Sequence, residues 1–276
     1  MNYIPRKVIL ALVLPGLAFL TLLLFAPIFI LFVNSFFSEG TLSLTPYIKT
    51  ISQSVFKIAL FRTLRVGSIV SGLTILLGYP TAYVISKMSS RKKAVFMSLA
   101  LFPLMTTAVV RTFGWFVILG RHGIINKFVT SIGLFERPLK ILYTEPAIIL
   151  GLTHLFFPLM LLSLLSSLEN VPEGVEEAAQ SLGAHPLRSF LLVIVPLTMD
   201  GLILGVTLVF TGCITAYTTP AILGGTRVLT LSTLLYQRAM TLMDWESATV
   251  IAVVLLFVAI TVNATLRLVK ARRISQ

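Results

Sequence analysis

Six stretches of this chain, at 8–37, 58–86, 94–119, 146–168, 197–217 and 248–269, are long and almost wholly apolar. A helix rises 1.5 Å per residue, so about twenty such residues cross a hydrocarbon layer roughly 30 Å thick. Lipid offers no partner to a bare backbone amide, so each run must close its hydrogen bonds within itself, as a helix does. The pattern predicts an all-α membrane protein with six transmembrane helices, organised as a single membrane domain over 1–276. No long linker, low-complexity tract or internal repeat divides it.

Composition agrees: of 276 residues, 57% are apolar and only 12% charged. The formal charge of +12 could suggest a nucleic-acid partner. Basic residues that flank membrane spans more commonly meet anionic headgroups, and no aromatic–basic interleaving supports nucleic acid. The single cysteine, Cys213, excludes an intrachain disulfide and any cysteine-rich metal site, and reads as a small core residue. His122, His154 and His185 are scattered without metal-ligand spacing, so no metal is expected. Arg6 and Lys7 before an apolar run imitate a signal peptide. The run continues to about residue 37 without a small-residue exit, and is expected to remain as a first span.

An even number of spans places both termini on one side. Lys87, Arg91, Lys92 and Lys93 crowd one short turn, Arg6 and Lys7 open the chain, and Arg267, Lys270, Arg272 and Arg273 close it. Their density next to span ends makes this face cytoplasmic, although the opposite side carries a comparable number of cations over longer loops. Prolines 15, 27, 80, 103 and 158 fall within spans, where each removes a backbone donor and bends its helix. Plain helix geometry and a part in gating are both open readings of them.

The cytoplasmic loop at about 170–197 breaks the apolar pattern. Of ten acidic residues in the chain, Glu169, Glu173, Glu176 and Glu177 fall at its start. After Pro172, Val175, Ala178, Ala179 and Leu182 recur at helical spacing, with Glu173, Glu176, Glu177 and Gln180 on the other side. Gly183 suits the left-handed residue that ends a helix. Pro186 opens a second helix with a stripe of Leu187, Phe190, Leu191 and Ile194. Such a bent pair is shaped to enter a groove on another protein, the alternative being a helix lying on lipid. Its acidic face argues against anionic lipid, which attracts Lys and Arg.

Glu177, Ala178, Ala179, Gly183, Val193, Val195 and Pro196 closely resemble the EAA loop that marks permease subunits of bacterial ABC importers. Valines stand for the family's usual Ile and Leu, and His185 replaces a commoner small capping residue. "GYPTAYVIS" at 78–86, "VRTFGWFVILGRHGIINK" at 110–127, "TTPAILGG" at 218–225 and "DWESATVIAV" at 244–253 are similar to the spermidine/putrescine-type branch, which also includes opine and phosphonate systems.

The resemblance implies a type I ABC importer permease of the bacterial inner membrane. It would be paired with a second permease, probed by an extracytoplasmic solute-binding protein and driven by an ABC ATPase dimer. Glu177 would pair with a cation on that ATPase while Ala178, Ala179 and Gly183 permit close packing. Because no Gly-x-x-x-x-Gly-Lys-Ser/Thr run occurs, ATP is expected on the partner, with no cofactor in this chain. Arg62, Arg65 and Arg111 lie in or near spans. Arg111 and Trp115 are the candidates for the translocation path, whereas Arg62 and Arg65 sit close enough to a span end to snorkel. An ion-driven secondary transporter would need paired broken helices and an intramembrane carboxylate. A membrane-embedded enzyme would need a catalytic set, and neither pattern is evident.

Overall fold

The computed structural model describes residues 6–38, 41–133 and 135–274, without the side chains of 6–12, 38 and 269–274. The orienting cations Arg6, Lys7, Lys270, Arg272 and Arg273 therefore lie outside the described side chains. The chain runs through helices α1 (Arg6–Ser35), α2 (Thr45–Ser52), α3 (Ser54–Ser86), α4 (Ser90–Met105), α5 (Ala108–Leu119), α6 (Ile124–Ser131) and α7 (Glu145–Glu169). It continues through α8 (Val175–Ser181), α9 (Pro186–Ser189), α10 (Val195–Leu197), α11 (Met199–Thr215), α12 (Thr218–Gly224), α13 (Leu231–Tyr236) and α14 (Trp245–Ile274). Phe190–Ile194 and Gln237–Thr241 are π-helical turns, and Phe37–Ser38 pairs antiparallel with Thr41–Leu42.

Among the described residues, five helical segments are long and apolar enough to cross a membrane: Val13–Ser35, Ser54–Ser86, Ala108–Ser131, Glu145–Glu169 and Trp245–Leu268. Pro186–Leu197 with Met199–Thr215, bent by 71°, forms a sixth. The count matches the sequence pattern, but two placements differ. The expected span at 94–119 is broken, because Thr106 and Thr107 adopt extended dihedrals between α4 and α5. Thr107 caps α5 by accepting from the Val110 amide at 3.4 Å, and the Thr106 hydroxyl turns back to the Pro103 carbonyl at 2.9 Å. The span expected from 197 begins within the bent pair. Pro196 cannot donate to the helical ladder, and the Thr198 hydroxyl bonds the carbonyl of Ile194 at 2.8 Å at the corner.

The chain divides into two compact units, one comprising the chain to Gln53 with Leu235–Val254, the other Ser54–Leu234 with the chain from Leu255 on. In the first, no side chain from 13 to 34 is buried, so α1 is apolar on every side, as a helix surrounded by lipid or partner must be. Asp244 caps α14 by accepting from the Ser247 amide at 3.1 Å and pairs with Arg238 at 3.1 Å. Burial pushes the Asp244 carboxyl up, but the Ser247 bonds and the Arg238 charge outweigh it and hold the group below its usual range.

The second unit is centred on α3, α7 and α11, whose buried faces meet through Val70, Ala82, Leu152, Met160, Leu161, Leu164 and Val209. Lipid-embedded helices associate by close packing rather than by escape from water, so small residues mark their contacts. A Cβ on Gly201 would lie 2.4 Å from the Ser163 carbonyl oxygen of α7, and one on Gly205 2.6 Å from Met160 Sδ. Gly201→Ala is expected to cost about 1–3 kcal/mol, because a backbone oxygen cannot swing aside. Gly72→Ala, with open space around it, should be neutral within about 0.5 kcal/mol. Melting midpoints in detergent compare the two, and equal midpoints would contradict the packing argument.

Candidate functional site

The loop at 170–197 folds as two short helical arms with a fixed corner. Gly174 (φ +83°) begins α8, and Gly183 (φ +90°) ends it. The Gly183 amide bonds Gln180 O at 2.9 Å and the Ala184 amide bonds Ala179 O at 3.1 Å, a Schellman pair that only a left-handed residue at 183 completes. His185 then caps α9, its Nδ1 accepting from the Leu187 amide at 3.4 Å, so this unusual cap residue does serve the second arm. Pro186 occupies the first turn, where its missing donor is harmless.

The faces of α8 are not those the apolar spacing predicts. Glu176 is buried, whereas Ala178 is exposed and Leu182 is 90% exposed. The reason is polar. Glu176 Oε2 accepts from Lys87 Nζ at 2.9 Å, and Oε1 accepts a short hydrogen bond from the Tyr83 hydroxyl. A buried carboxylate bonded to an ammonium and a phenol outcompetes the small gain from tucking in two alanines. Burial tends to raise the Glu176 pKa, but the Tyr83 hydrogen bond and Lys87 prevail and keep it below the usual carboxylate range. In the second arm, Ile194 is buried and Phe190 half-buried, while Leu187 and Leu191 are exposed at 62% and 52%.

The residues expected to meet the ATPase lie together on this corner. Glu177 makes no hydrogen bond or ion pair among the described residues, and Ala178 and Gly183 are exposed with Ala179 half-buried. Beside them, Tyr83, Lys87, Lys93, Glu169, Glu173, Glu176 and Glu177 line a polar cleft of about 630 Å³. Lys93 pairs with Glu169 across it at 2.6 Å.

The path candidates separate. Arg111 Nη1 donates to the carbonyls of Pro103 and Thr106, so its guanidinium closes the open end of α4. Trp115, one turn further, donates from Nε1 to His154 Nδ1 at 3.2 Å, with the two rings edge to face. The segment "TTPAILGG" packs α12 against α5 and α7, its Thr219 hydroxyl 3.2 Å from that of Thr112. Arg62 and Arg65 share one carboxylate: Arg62 Nε meets Glu145 Oε1 at 2.9 Å and Arg65 meets Oε2 at 3.5 Å. Arg62 also donates to the Leu229 carbonyl at 2.9 Å. Cys213 is a buried residue of α11, as expected.

Sequence reasoning missed Glu176 and Glu145 as partners. Tyr83 in the last turn of α3 and Lys87 just after it were the available signal, since a phenol and an ammonium four apart call for a carboxylate. A partner about ninety residues on could not be chosen among four neighbouring glutamates.

With this geometry in hand, the family model for the inner membrane component of binding-protein-dependent transport systems matches residues 74–275. This chain belongs to that family. The permease is 32% identical over 193 residues to the spermidine/putrescine transport system permease protein PotB of Haemophilus influenzae, covering 70% of this chain and 68% of that one. To the PotB of Escherichia coli K12 it is 28% identical over 209 residues, 76% of each chain. A crystal structure of a bacterial ABC transporter involved in the import of alginate superposes with a TM-score of 0.75 over 98% of the permease and 96% of that chain. At 18% identity that likeness speaks for the fold alone, an all-helical ABC importer permease. The permease is thus the multi-pass inner-membrane subunit of an ATP-driven importer that works with an ATPase and a solute-binding protein.

Proposed function

We propose that the corner at 175–197 is the element through which this permease couples to its ATPase. Glu177 pairs with a cation on the ATPase, and Ala178, Ala179 and Gly183 let the two surfaces come into contact. The observation that carries this reading is a corner locked by its own hydrogen bonds that leaves Leu182 90% exposed and Glu177 without a hydrogen bond or ion pair among the described residues. A rigid projection loses little entropy on docking. Both termini and this loop face the cytoplasm, the partner ATPase holds the nucleotide, and the permease works beside a second, paralogous permease. Ala178→Trp tests the docking. Ala178 is exposed on α8, so the variant should fold and insert, yet fail to copurify with the ATPase; unchanged copurification and uptake would refute the reading.

The translocation path runs along α5, where Trp115 lines it and Arg111 secures the segment's start. The solute is a small organic amine of the spermidine/putrescine kind, in keeping with the PotB relatives. A polycation finds aromatic faces at Trp115 and Tyr217 to stack against. Uptake of labelled putrescine by cells carrying the whole system, competed with an aminophosphonate, tests the solute. Competition only by the aminophosphonate would replace it.

A further inference from the structure

Polar and aromatic contacts from both arms of the corner meet at the last two turns of α3 and the residue that follows them. Glu176 of the first arm bonds Tyr83 of α3 and Lys87 just beyond it. Lys87 Nζ also stands 5.6 Å from the centroid of the Tyr83 ring, so ammonium, ring and carboxylate form one cluster. From the second arm, the ring of Phe190 lies edge-on to both Tyr79 and Tyr83, with centroids 5.4 and 5.1 Å apart. The Tyr79 hydroxyl is bonded to Thr198 at the foot of α11. The arms are also tied to each other, since Ser189, wholly buried, donates from its hydroxyl to the Glu176 carbonyl at 3.5 Å.

We infer that Glu176 is a positioning residue for energy coupling, the strut that carries displacement of the docked corner into α3. The inference rests on the docking reading above. Glu177 and Glu176 are neighbours in sequence with opposite duties. Glu177 is exposed and makes no hydrogen bond or ion pair among the described residues, while Glu176 is buried and spent on Tyr83 and Lys87. A helix arm with one carboxylate outward and the next inward transmits force from one body to another. Pro80 lies between Tyr79 and Tyr83, where its missing amide leaves α3 short of one ladder bond. A pull at Tyr83 and Lys87 therefore acts on the part of α3 that resists bending least.

The test uses the assembled importer with its ATPase and binding protein, reconstituted in liposomes, with uptake and ATP hydrolysis measured on the same sample. Glu176→Gln keeps the shape of the side chain and removes the charge. It is expected to copurify with the ATPase and hydrolyse ATP, with solute moved per ATP falling about tenfold, as loss of a buried charged contact implies. Tyr83→Phe, which keeps its packing on Phe190, should give a smaller fall of about threefold in the same ratio and guards against misfolding of the first variant. An unchanged uptake-to-hydrolysis ratio in both variants overturns the inference. So does parallel loss of ATPase copurification, which would make Glu176 part of the docking surface. Glu177→Lys is run alongside: if it copurifies and couples normally, the docking reading fails on its own account, whatever the Glu176 variants do.

Discussion

Glu177→Lys is expected to yield a membrane-inserted, folded permease whose uptake falls roughly 30-fold or more, the effect of breaking a partly buried charged contact worth about 2–5 kcal/mol. The side chain is exposed and without a hydrogen bond or ion pair among the described residues, so reversing its charge breaks no such bond there. It would set like charges against each other across the docking surface, which adds repulsion to the lost attraction. Uptake assays, with copurification of the ATPase as the second readout, check this. Wild-type uptake would remove Glu177 from the interface. The companion change Gly183→Leu is a poorer probe, because at φ +90° a side chain strains the corner before any partner is met.

Removing Glu145 is expected to be the most destabilising single change in the helical core, at about 3 kcal/mol. Its carboxylate serves both Arg62 and Arg65, and the Arg62 side chain is only 18% exposed. Glu145→Ala would leave that guanidinium with the Leu229 carbonyl alone. The Arg62 charge would then lack a carboxylate partner in a poorly hydrated place. The double variant Arg62→Met with Glu145→Leu should recover most of the loss, since an apolar pair of similar volume needs no such compensation. Thermal midpoints in detergent for the single and double variants decide it. A double variant no more stable than the single one would show that the cost lies in packing.

What could be read from the sequence, and what could not, follows from the range of the forces involved. The number of spans was legible because hydrophobic length is a local property. The corner was legible too, as Gly183 and Pro186 act through their own backbones. The break at Thr106–Thr107 was not, because two threonines do not lower hydropathy enough to interrupt a run. Only the bonds from Arg111 and the threonine hydroxyls show why the helix stops there. The inward turn of Glu176 was hidden for a different reason. Apolar periodicity assumes that the greasy face is the buried one, and a single carboxylate facing a lysine and a tyrosine overrode it. Glu177, Ala178, Ala179 and Gly183 entered through family resemblance; spacing alone offered a bent helix pair and no choice of partner.

The interruption between α4 and α5 has a mechanical consequence. A continuous helix turns against itself only by tearing amide–carbonyl bonds, and in hydrocarbon each torn bond goes unrepaired. At Thr106–Thr107 the rungs are already absent, and the carbonyls left bare are served by a long, jointed side chain anchored on the far rod. Here a guanidinium carried by one rod takes the place of the missing rungs of the other, so the joint is closed by a side chain rather than by the ladder.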